Sequence, residues 1–350
     1  MNKRSLKTNV VLSPLKRLYY HYVYWRIFNR DRDAIRSMIK KVPQSDRPSM
    51  IKMWWILVGK LWLPEEYFSY HYDLLSRKGQ KQYVLNWEKE VFAKTVNKES
   101  VHELLDDKYG SFLHFKEYYK RDVIKVDFAN KDLDAITTFL EAHPKVMVKQ
   151  NTNGGGHGIQ IVNVNDFDNV ETLLDLLQEQ YKSKKIIFEE LIQQDERMAC
   201  FHPQSVNTLR MPAIRIGEKI VFLHPGMRIG RGESIVDNGG SGGILAAIDM
   251  TTGIIKAAAT EDGTDYCIHP DTKVPIVGYQ VPLWDEAQAF AKELMRALPE
   301  GVYISWDLAL SDKGWMMVEG NGRGQFFGRQ LPIHRGIRKE FNEIKKKLNI

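Results

Sequence analysis

The chain has 350 residues, of which 43% are hydrophobic and 27% charged, a balance typical of a soluble globular protein with two or three domains. Its only cysteines, Cys200 and Cys267, are too few for a disulfide framework or a cysteine-based zinc site. No run reaches the roughly 20 apolar residues of a membrane-spanning helix, and the basic start lacks the apolar core of a signal peptide. These features predict a cytoplasmic protein.

The net charge of +6 is unevenly distributed along the chain. Residues 1–60 contain fourteen Lys and Arg against three Asp, a net charge of +11, and aromatic residues are interleaved among them. Such a segment can lie on an anionic membrane surface or bind nucleic acid. A simpler interpretation is that the aromatic side chains cover a core while the charges are solvated. No nucleic-acid-binding motif accompanies the segment, so we expect no nucleic acid partner and leave the other two interpretations open.

Helical patterns interrupted by Pro43, Pro48 and Pro64 predict a helical N-terminal region. Short apolar runs dominate after it and predict strands, separated by a few helices. The predicted strands are 123–126, 146–149, 159–162, 186–191, 209–216, 220–224 and 244–248, with a last hairpin at 303–321. The predicted helices are 131–142, 168–181, 284–298 and 338–348.

A glycine-rich hairpin loop follows the predicted strand 146–149, which ends at Lys149. Glycines place no side chains at the tip, so backbone N–H groups can close over phosphate oxygens, and Lys149 adds a cation. The loop matches neither the P-loop nor the dinucleotide-binding fingerprint. A plain hairpin turn remains the alternative. The candidate phosphate-binding residues of this hairpin are Lys149, Asn153, Gly154, Gly155, Gly156, His157 and Gly158.

The predicted strand 186–191 is apolar but carries two neighbouring acids, Glu189 and Glu190, before it ends at Leu191. Backbone donors and acceptors at the end of such a strand can bind an adenine edge. An acid shortly beyond can accept hydrogen bonds from ribose hydroxyls. A strand with solvated glutamates at its edge is the simpler interpretation of these residues taken alone.

The last hairpin carries three side chains with oxygen atoms near its open end: Asp307, Glu319 and Asn321. Side chains alternate along a strand, so Glu319 and Asn321 share one face, and Gly320 leaves the other face open. Mg²⁺ prefers hard oxygen ligands and fills its remaining positions with phosphate and water. The pattern predicts a magnesium site, with a polar strand end before a glycine-rich loop as the alternative.

The order of these motifs, over roughly residues 108–329, resembles the ATP-grasp superfamily. That family holds ATP between two α+β subdomains and joins a carboxylate to an amine through an acyl phosphate. The resemblance assigns ATP phosphates to Lys108 and Lys149, the nucleoside to Glu189, Glu190, Leu191 and Glu196, and Mg²⁺ to Asp307, Glu319 and Asn321.

The phrases HPQSVNTLR, VDNGGSGGI and YISWDLAL…VEGNG are most similar to the sugar-transfer-associated ATP-grasp group, which is related to α-L-glutamate ligases. In the glutamate-ligase branch, one arginine on each of two consecutive strands and an Asn before Gly-Gly surround the γ-phosphate and the acyl acceptor. The resemblance therefore implies catalytic roles for Arg210, Arg228 and Asn238. Ordinary surface ion pairing is the alternative for the two arginines.

The resemblance also implies an ATP-grasp fold of class α+β, with subdomains at 98–195 and 196–334. A helical basic region at 1–97 would precede them, and a basic helical tail at 335–350 would follow. Residues 1–95 depart from the family pattern because they do not predict a Rossmann-like domain.

The implied activity is an ATP- and Mg²⁺-dependent carboxylate–amine ligase, with a cell-surface polysaccharide precursor as a candidate acceptor. A kinase with the same nucleotide-binding site and a membrane-associated module that only senses nucleotide are the alternatives. The sequence leaves the two substrates and the oligomeric state open.

Overall fold

Two antiparallel sheets and a helical N-terminal region make up the computed structural model, which describes residues 14–152, 158–182, 184–324 and 330–350. The predicted loop residues Asn153, Gly154, Gly155, Gly156 and His157 lie outside the described residues. Both sheets have helices packed on them, so the predicted α+β class is confirmed. Within the described ranges, no helix is both long and apolar enough to cross a bilayer.

The N-terminal region is helical, as the sequence predicts. After α3, the chain continues in a wider π-helical turn at Trp55–Gly59, and Pro64 is the first residue of α4, where its missing N–H costs no hydrogen bond. Tyr24, Met53 and Leu57 are buried in the core of this region. The helices are α1 (Pro14–Arg30), α2 (Arg32–Lys41), α3 (Met50–Trp54), α4 (Pro64–Ser69), α5 (Arg77–Gln80) and α6 (Asn86–Val96).

The smaller sheet has four strands in the order β1-β4-β2-β3, all antiparallel. Alternate side chains of β4, Ile186 and Phe188, pack against two helices on one face of the sheet, and Glu189 lies on the other face. The elements are β1 (Val123–Val126), α10 (Leu133–Ala142), β2 (Lys145–Gln150), β3 (Gln160–Asn163), α11 (Val170–Gln180) and β4 (Ile186–Glu190).

The larger sheet has the strand order β11-β10-β5-β7-β8-β9, and β6 pairs with β5. Helices before β1 and after β9 cover one of its faces, where Trp306 and Leu209 are fully buried. The helices are α7 (Glu99–Asp106), α8 (Lys108–His114), α9 (Lys116–Tyr119), α12 (Glu196–Ala199) and α13 (Trp284–Ala297). The strands are β5 (Thr208–Ile216), β6 (Lys219–Phe222), β7 (Gly226–Ile229), β8 (Ile244–Ile248), β9 (Ile255–Thr260), β10 (Tyr303–Ser311) and β11 (Gly314–Asn321).

The basic tail forms α14 (Arg338–Lys347) and packs on the body of the protein. Phe341 lies against Phe92 of α6 with their ring centroids 5.2 Å apart. Arg338 donates to both carboxylate oxygens of Glu88 at the start of the same helix. The tail thus holds the helical region in place next to the larger sheet.

Asn97 joins the helical region to the hairpin β10–β11 through four hydrogen bonds and is buried. Its Nδ2 donates to the carbonyls of Tyr303 (2.6 Å) and Gly322 (3.1 Å), and its Oδ1 accepts from the N–H groups of Val302 and Tyr303, each at 3.0 Å. Asn97→Ala should lower the free energy of unfolding by about 3 kcal/mol, because four buried backbone groups lose their partners. Urea unfolding measures this loss.

The matched control is Thr95→Ala, two residues earlier on an exposed position of α6. We expect it to change the free energy of unfolding by less than about 0.5 kcal/mol. Equal effects of the two substitutions would contradict the role assigned to Asn97.

Candidate active site

A cavity of about 1000 Å³ lies between the uncovered faces of the two sheets, and the helical region contributes Lys89 to its wall. The predicted residues that line it are Lys108, Lys149, Glu189, Glu190, Leu191, Arg210, Arg228, Asn238, Glu319 and Asn321. Asp307 is fully buried directly behind this wall, in contact with Arg210 and Arg228.

The pairing of the larger sheet explains why these side chains meet. Glu319, Asp307 and Arg210 are direct partners across β11, β10 and β5. Opposite residues of antiparallel strands present their side chains to the same face, so all three point to the cavity side. Thr208, two residues before Arg210, pairs with Arg228 on β7 and belongs to the same face. The register therefore places two acids and two arginines in one patch.

Asp307 is bound by both arginines. Nε and Nη2 of Arg210 each donate to a different carboxylate oxygen of Asp307 at 2.7 Å, and Nη2 of Arg228 donates to Asp307 Oδ2 at 3.0 Å. Burial alone would raise the pKa of Asp307, but the two guanidinium charges outweigh it and lower the pKa to about 2. Asp307 is therefore a carboxylate at neutral pH.

Glu319 differs from Asp307 in its charge balance. Burial, and then the negative charge of Asp307, raise the pKa of Glu319 above its ordinary value. Nδ2 of Asn321 donates to Glu319 Oε1 at 3.2 Å and to Asp307 Oδ2 at 3.3 Å, so the three side chains converge. Such hard oxygen groups fit Mg²⁺, since a cation among them would relieve the repulsion between the two carboxylates.

Gly320 faces the covered side of the sheet, which the sequence predicts to be open. A Cβ at this position would come within 2.6 Å of the Trp306 ring and 2.9 Å of Leu105. The face is therefore filled by these two side chains, and glycine allows them to pack tightly behind the site.

Arg228 is fixed by a second acid, Asp237. Its Nε donates to Thr208 Oγ1 at 2.9 Å and lies 3.5 Å from Asp237 Oδ2, which also accepts from the backbone N–H of Thr208 at 2.9 Å. Burial raises the pKa of Asp237. The next residue, Asn238, accepts from the Ser241 N–H at 2.8 Å and so holds the turn at Gly239–Ser241.

On the smaller sheet, Lys149 is held by Glu189. The Lys149 ammonium lies 2.9 Å from Glu189 Oε2, which also accepts from Arg121 Nη2 at 3.2 Å. Arg121 is buried and donates further to the carbonyls of Met317 (2.6 Å) and Val318 (3.2 Å) on β11. Arg121 therefore connects the two sheets beneath the cavity. The predicted nucleoside residue Glu189 positions a lysine in this structure.

Lys108, the first residue of α8, lines the same part of the cavity. Burial lowers its pKa, although the nearby Glu319 acts in the opposite direction. Lys149 of the smaller sheet and Glu319 of the larger sheet line the same part of the cavity, so Lys108 lies where the two sheets face each other. The two predicted phosphate lysines are thus brought together.

At the other end of the cavity, the backbone N–H of Glu190 donates to the Asp122 carbonyl at 2.9 Å and is not available to a ligand. Leu191 and the residues just after it line the wall beyond the strand end. Besides the buried Asp307, two of the described predicted residues do not line the wall: Gly158, whose carbonyl accepts from the Tyr181 hydroxyl at 2.9 Å, and Glu196.

The ribose role predicted for Glu196 does not fit this geometry. Asp195 caps the short helix α12, and Glu196, its first residue, is exposed outside the cavity wall. Gln193 and Gln194 line the wall instead, and Gln194 accepts from the Asn207 N–H at 3.0 Å.

The sequence reasoning does not identify three residues around the cavity. Arg121 precedes β1, and only the pairing of β1 with β4 brings it to Glu189. Lys89 lies in the helical region, where its ammonium donates to the Arg323 carbonyl at 2.9 Å. Asp237 stands in the phrase VDNGGSGGI beside Asn238, and this neighbour is the one indication that the sequence offers.

The pair of Glu189 with two cations predicts a pH-dependent stability. Burial acts to raise the pKa of Glu189, but Lys149 and Arg121 lower it to about 2 from an ordinary 4.5. A lowered pKa stabilises the folded state above about pH 4.5, and this contribution, about 3 kcal/mol, is lost as the pH falls towards 2. We expect Glu189→Gln to lose this amount at pH 7.

Urea unfolding at pH 7, 4 and 3 measures the difference between the wild type and E189Q, which should shrink with falling pH. The control Glu190→Gln replaces a carboxylate whose side chain is 26% exposed and that lies 3.4 Å from Lys313. The amide oxygen of Gln can still accept from the Asp122 N–H, so this change should cost less than about 1 kcal/mol at every pH. A difference for E189Q that stays constant over this range would refute the assignment.

Comparison with solved structures finds ligases of low sequence identity and weak structural similarity. The crystal structure of D-alanine–D-alanine ligase from Helicobacter pylori is 16% identical, covers 70% of this chain and 60% of its own, and has a TM-score of 0.44. VanG D-Ala:D-Ser ligase from Enterococcus faecalis is 11% identical over 71% and 62%, with a TM-score of 0.46. The ATP-grasp ligase PsnB, complexed with a minimal precursor, is 10% identical over 72% and 63%, with a TM-score of 0.43.

This chain therefore spans about 60% of the length of these ligases. A comparison with curated protein sequences finds no significant match. The sequence profile of the family described as sugar-transfer associated ATP-grasp matches residues 88–346, about three quarters of the chain. The chain therefore belongs to the sugar-transfer associated ATP-grasp family.

Proposed function

We propose that the protein is an ATP- and Mg²⁺-dependent carboxylate–amine ligase that acts through an acyl phosphate. One observation carries the proposal: Arg210 and Arg228 meet Asp307 and Glu319 in one cavity that also contains the phosphate-binding candidate Lys149. Fixed cations beside a group of oxygen ligands are what phosphoryl transfer requires, since its catalysis is largely positioning and electrostatic stabilisation.

The proposed reaction has two steps. A carboxylate oxygen of the first substrate attacks the γ-phosphorus of ATP, and the bond to the β-phosphate oxygen breaks, which releases ADP. The amine nitrogen then attacks the acyl carbon, the phosphate leaves, and the nitrogen gives up a proton. Negative charge develops on the phosphoryl group in the first step and on the carbonyl oxygen in the second. Arg210 and Arg228 would stabilise both charges.

Asp307, Glu319 and Asn321 would hold Mg²⁺, which would supply positive charge to neutralise the phosphates. Lys108 and Lys149 would bind the phosphates of ATP. The loop predicted at 153–158 would cover these phosphates, and Asn238 would keep its turn close to the acyl acceptor.

The adenine would lie towards Leu191. Met147, Ile161 and Leu191 give that end of the cavity apolar walls, as a purine ring requires. Because the N–H of Glu190 is already bonded to Asp122, the backbone donor for the adenine edge would come from beyond the strand end.

The family description, sugar-transfer associated, supports an acceptor linked to polysaccharide synthesis. We infer that the carboxylate of a uronic acid in a cell-surface polysaccharide precursor is joined to an amino acid or another amine, or that an amino sugar of the precursor is joined to the carboxylate of an amino acid. We place the reaction in the cytoplasm, at the inner face of the membrane.

The ligase reaction can be tested with a screen for ADP release over mixtures of amino acids and uronic-acid sugar nucleotides with Mg²⁺. Mass spectrometry of the product should show an amide and free phosphate. A product that retains the phosphate on a hydroxyl would indicate a kinase instead. Hydrolysis of ATP without an amide from any mixture would refute the ligase proposal.

Glu319→Gln should lower the rate of ADP release at least about 1000-fold, because it removes one charged ligand from the proposed metal site. The matched control is Glu196→Gln, the same change on a carboxylate outside the cavity. We expect E196Q to retain the wild-type rate. A module that only senses nucleotide would show no ADP release in the wild type or in either variant. If the wild type does release ADP, equal rates in E319Q and E196Q would exclude the metal role of Glu319.

Arg228→Gln should lower kcat about 100-fold or more and change the affinity for ATP much less, since the guanidinium would act on charge that develops during the reaction. Arg197→Gln, in an exposed pair with Asp195, serves as the control. Steady-state kinetics and equilibrium binding of a fluorescent ATP analogue separate the two effects. A purely structural Arg228 would change both quantities together with the stability.

A further inference from the structure

The proposed reaction does not use an exposed aromatic and basic surface on the helical region. We define the basic aromatic surface as the exposed side chains between residues 18 and 60. Seven of the fifteen large hydrophobic side chains that are exposed in the described parts of the chain belong to it. They are Leu18, Tyr19, Tyr22, Trp25, Ile51, Trp54 and Trp55. Monomeric soluble proteins rarely expose so many aromatic groups in one segment, and such patches mark interaction sites.

Helix α1 has two apolar faces. Tyr24 and Phe28 are buried and pack in the core of the helical region. Leu18, Tyr22 and Trp25 have the spacing i, i+4, i+7 of a second stripe, and they are exposed. The rings of Tyr22 and Trp25 stack with centroids 6.1 Å apart. The stripe is therefore an ordered aromatic surface that the rest of the described chain leaves uncovered.

The segment Met50–Gly59 adds a second set of exposed apolar groups: Ile51, Trp54 and Trp55. It packs on α1, where the His21 ring lies 2.5 Å from the Val58 carbonyl. The two sets therefore belong to neighbouring elements of the same helical layer.

The basic side chains of this surface greatly outnumber the acidic ones. Residues 26–60 contain nine Lys and Arg, all exposed, against three Asp. Asp31 and Asp33 already pair with arginines of the same helices. The nine are Arg26, Arg30, Arg32, Arg36, Lys40, Lys41, Arg47, Lys52 and Lys60.

We propose that the basic aromatic surface binds an anionic lipid bilayer, with α1 lying parallel to the membrane. Trp and Tyr favour the boundary between headgroups and acyl chains, and Lys and Arg are attracted to acidic headgroups. A second copy of the chain is a poorer partner, because a two-fold contact would bring the same basic groups face to face. Leu18 and Ile51 also offer a nucleic acid neither charge nor an aromatic ring for stacking.

This inference deepens the proposed location of the enzyme and does not depend on the proposed ligase reaction. Flotation of the full-length protein with vesicles tests it without any substrate, so failure here would leave the ligase proposal standing. We expect binding to phosphatidylcholine vesicles that contain about 30% phosphatidylglycerol and much weaker binding to pure phosphatidylcholine. Raising the salt from about 0.1 M to about 0.5 M should weaken the binding to the anionic vesicles, because salt screens the charges.

The double variant Tyr22→Ala/Trp25→Ala should reduce partitioning onto the anionic vesicles at least about tenfold. Its matched control is Leu113→Ala/Leu176→Ala, which removes two leucines, 56% and 50% exposed, from helices elsewhere; Tyr22 and Trp25 are 54% and 47% exposed. Urea unfolding verifies that both variants fold.

Three results would overturn the proposal: no binding of the wild type to anionic vesicles, equal binding to neutral and anionic vesicles, or equal losses in the two double variants. A wild-type dimer that Y22A/W25A converts to a monomer, without vesicle binding, would assign the surface to a second copy of the chain.

Discussion

The buried carboxylate of Asp307 is the constraint on which the larger sheet and the cavity depend. A charge without any solvent exposure is stable only with close counter-charges, and Arg210 and Arg228 provide them from the next two strands. Removing one partner of such a group typically costs about 3–5 kcal/mol. A slip of β5 by one residue would turn Arg210 to the opposite face. The neutralisation of Asp307 therefore depends on the register of β5 and β10.

This balance also bears on the proposed chemistry. The arginines that would stabilise the acyl phosphate are bonded to the carboxylate that would hold Mg²⁺. A transferring phosphoryl group in the cavity would therefore lie beside guanidinium groups that Asp307 already holds in place. The cost of desolvating these charges has already been met in folding, so the site would be preorganised for a negatively charged ligand.

Local patterns in the sequence predict most strands and place Asp307, Glu319 and Asn321 on one hairpin, whereas the α+β class follows from the family resemblance. The residues of the Asp…Glu-x-Asn pattern lie close together in the structure because their two strands form one hairpin. The sequence does not predict β9, because Ala257 to Ala259 are not the β-branched residues that favour a strand. The sequence does not identify Arg121 and Lys89 because only tertiary packing brings them to the cavity. Glu196 lies outside the cavity wall because Asp195 caps a short helix that begins at Glu196.

The contact of Arg121 with both sheets has a consequence for motion. Its guanidinium bonds to Glu189 on β4 and to two carbonyls of β11, so the sheets cannot separate at this point without exposing a buried ion pair. The far edge of the smaller sheet, at β3, has no equivalent bond to the larger sheet among the described residues. A rotation of the smaller sheet about this contact would therefore displace β3 more than the end of β4 that carries Glu189.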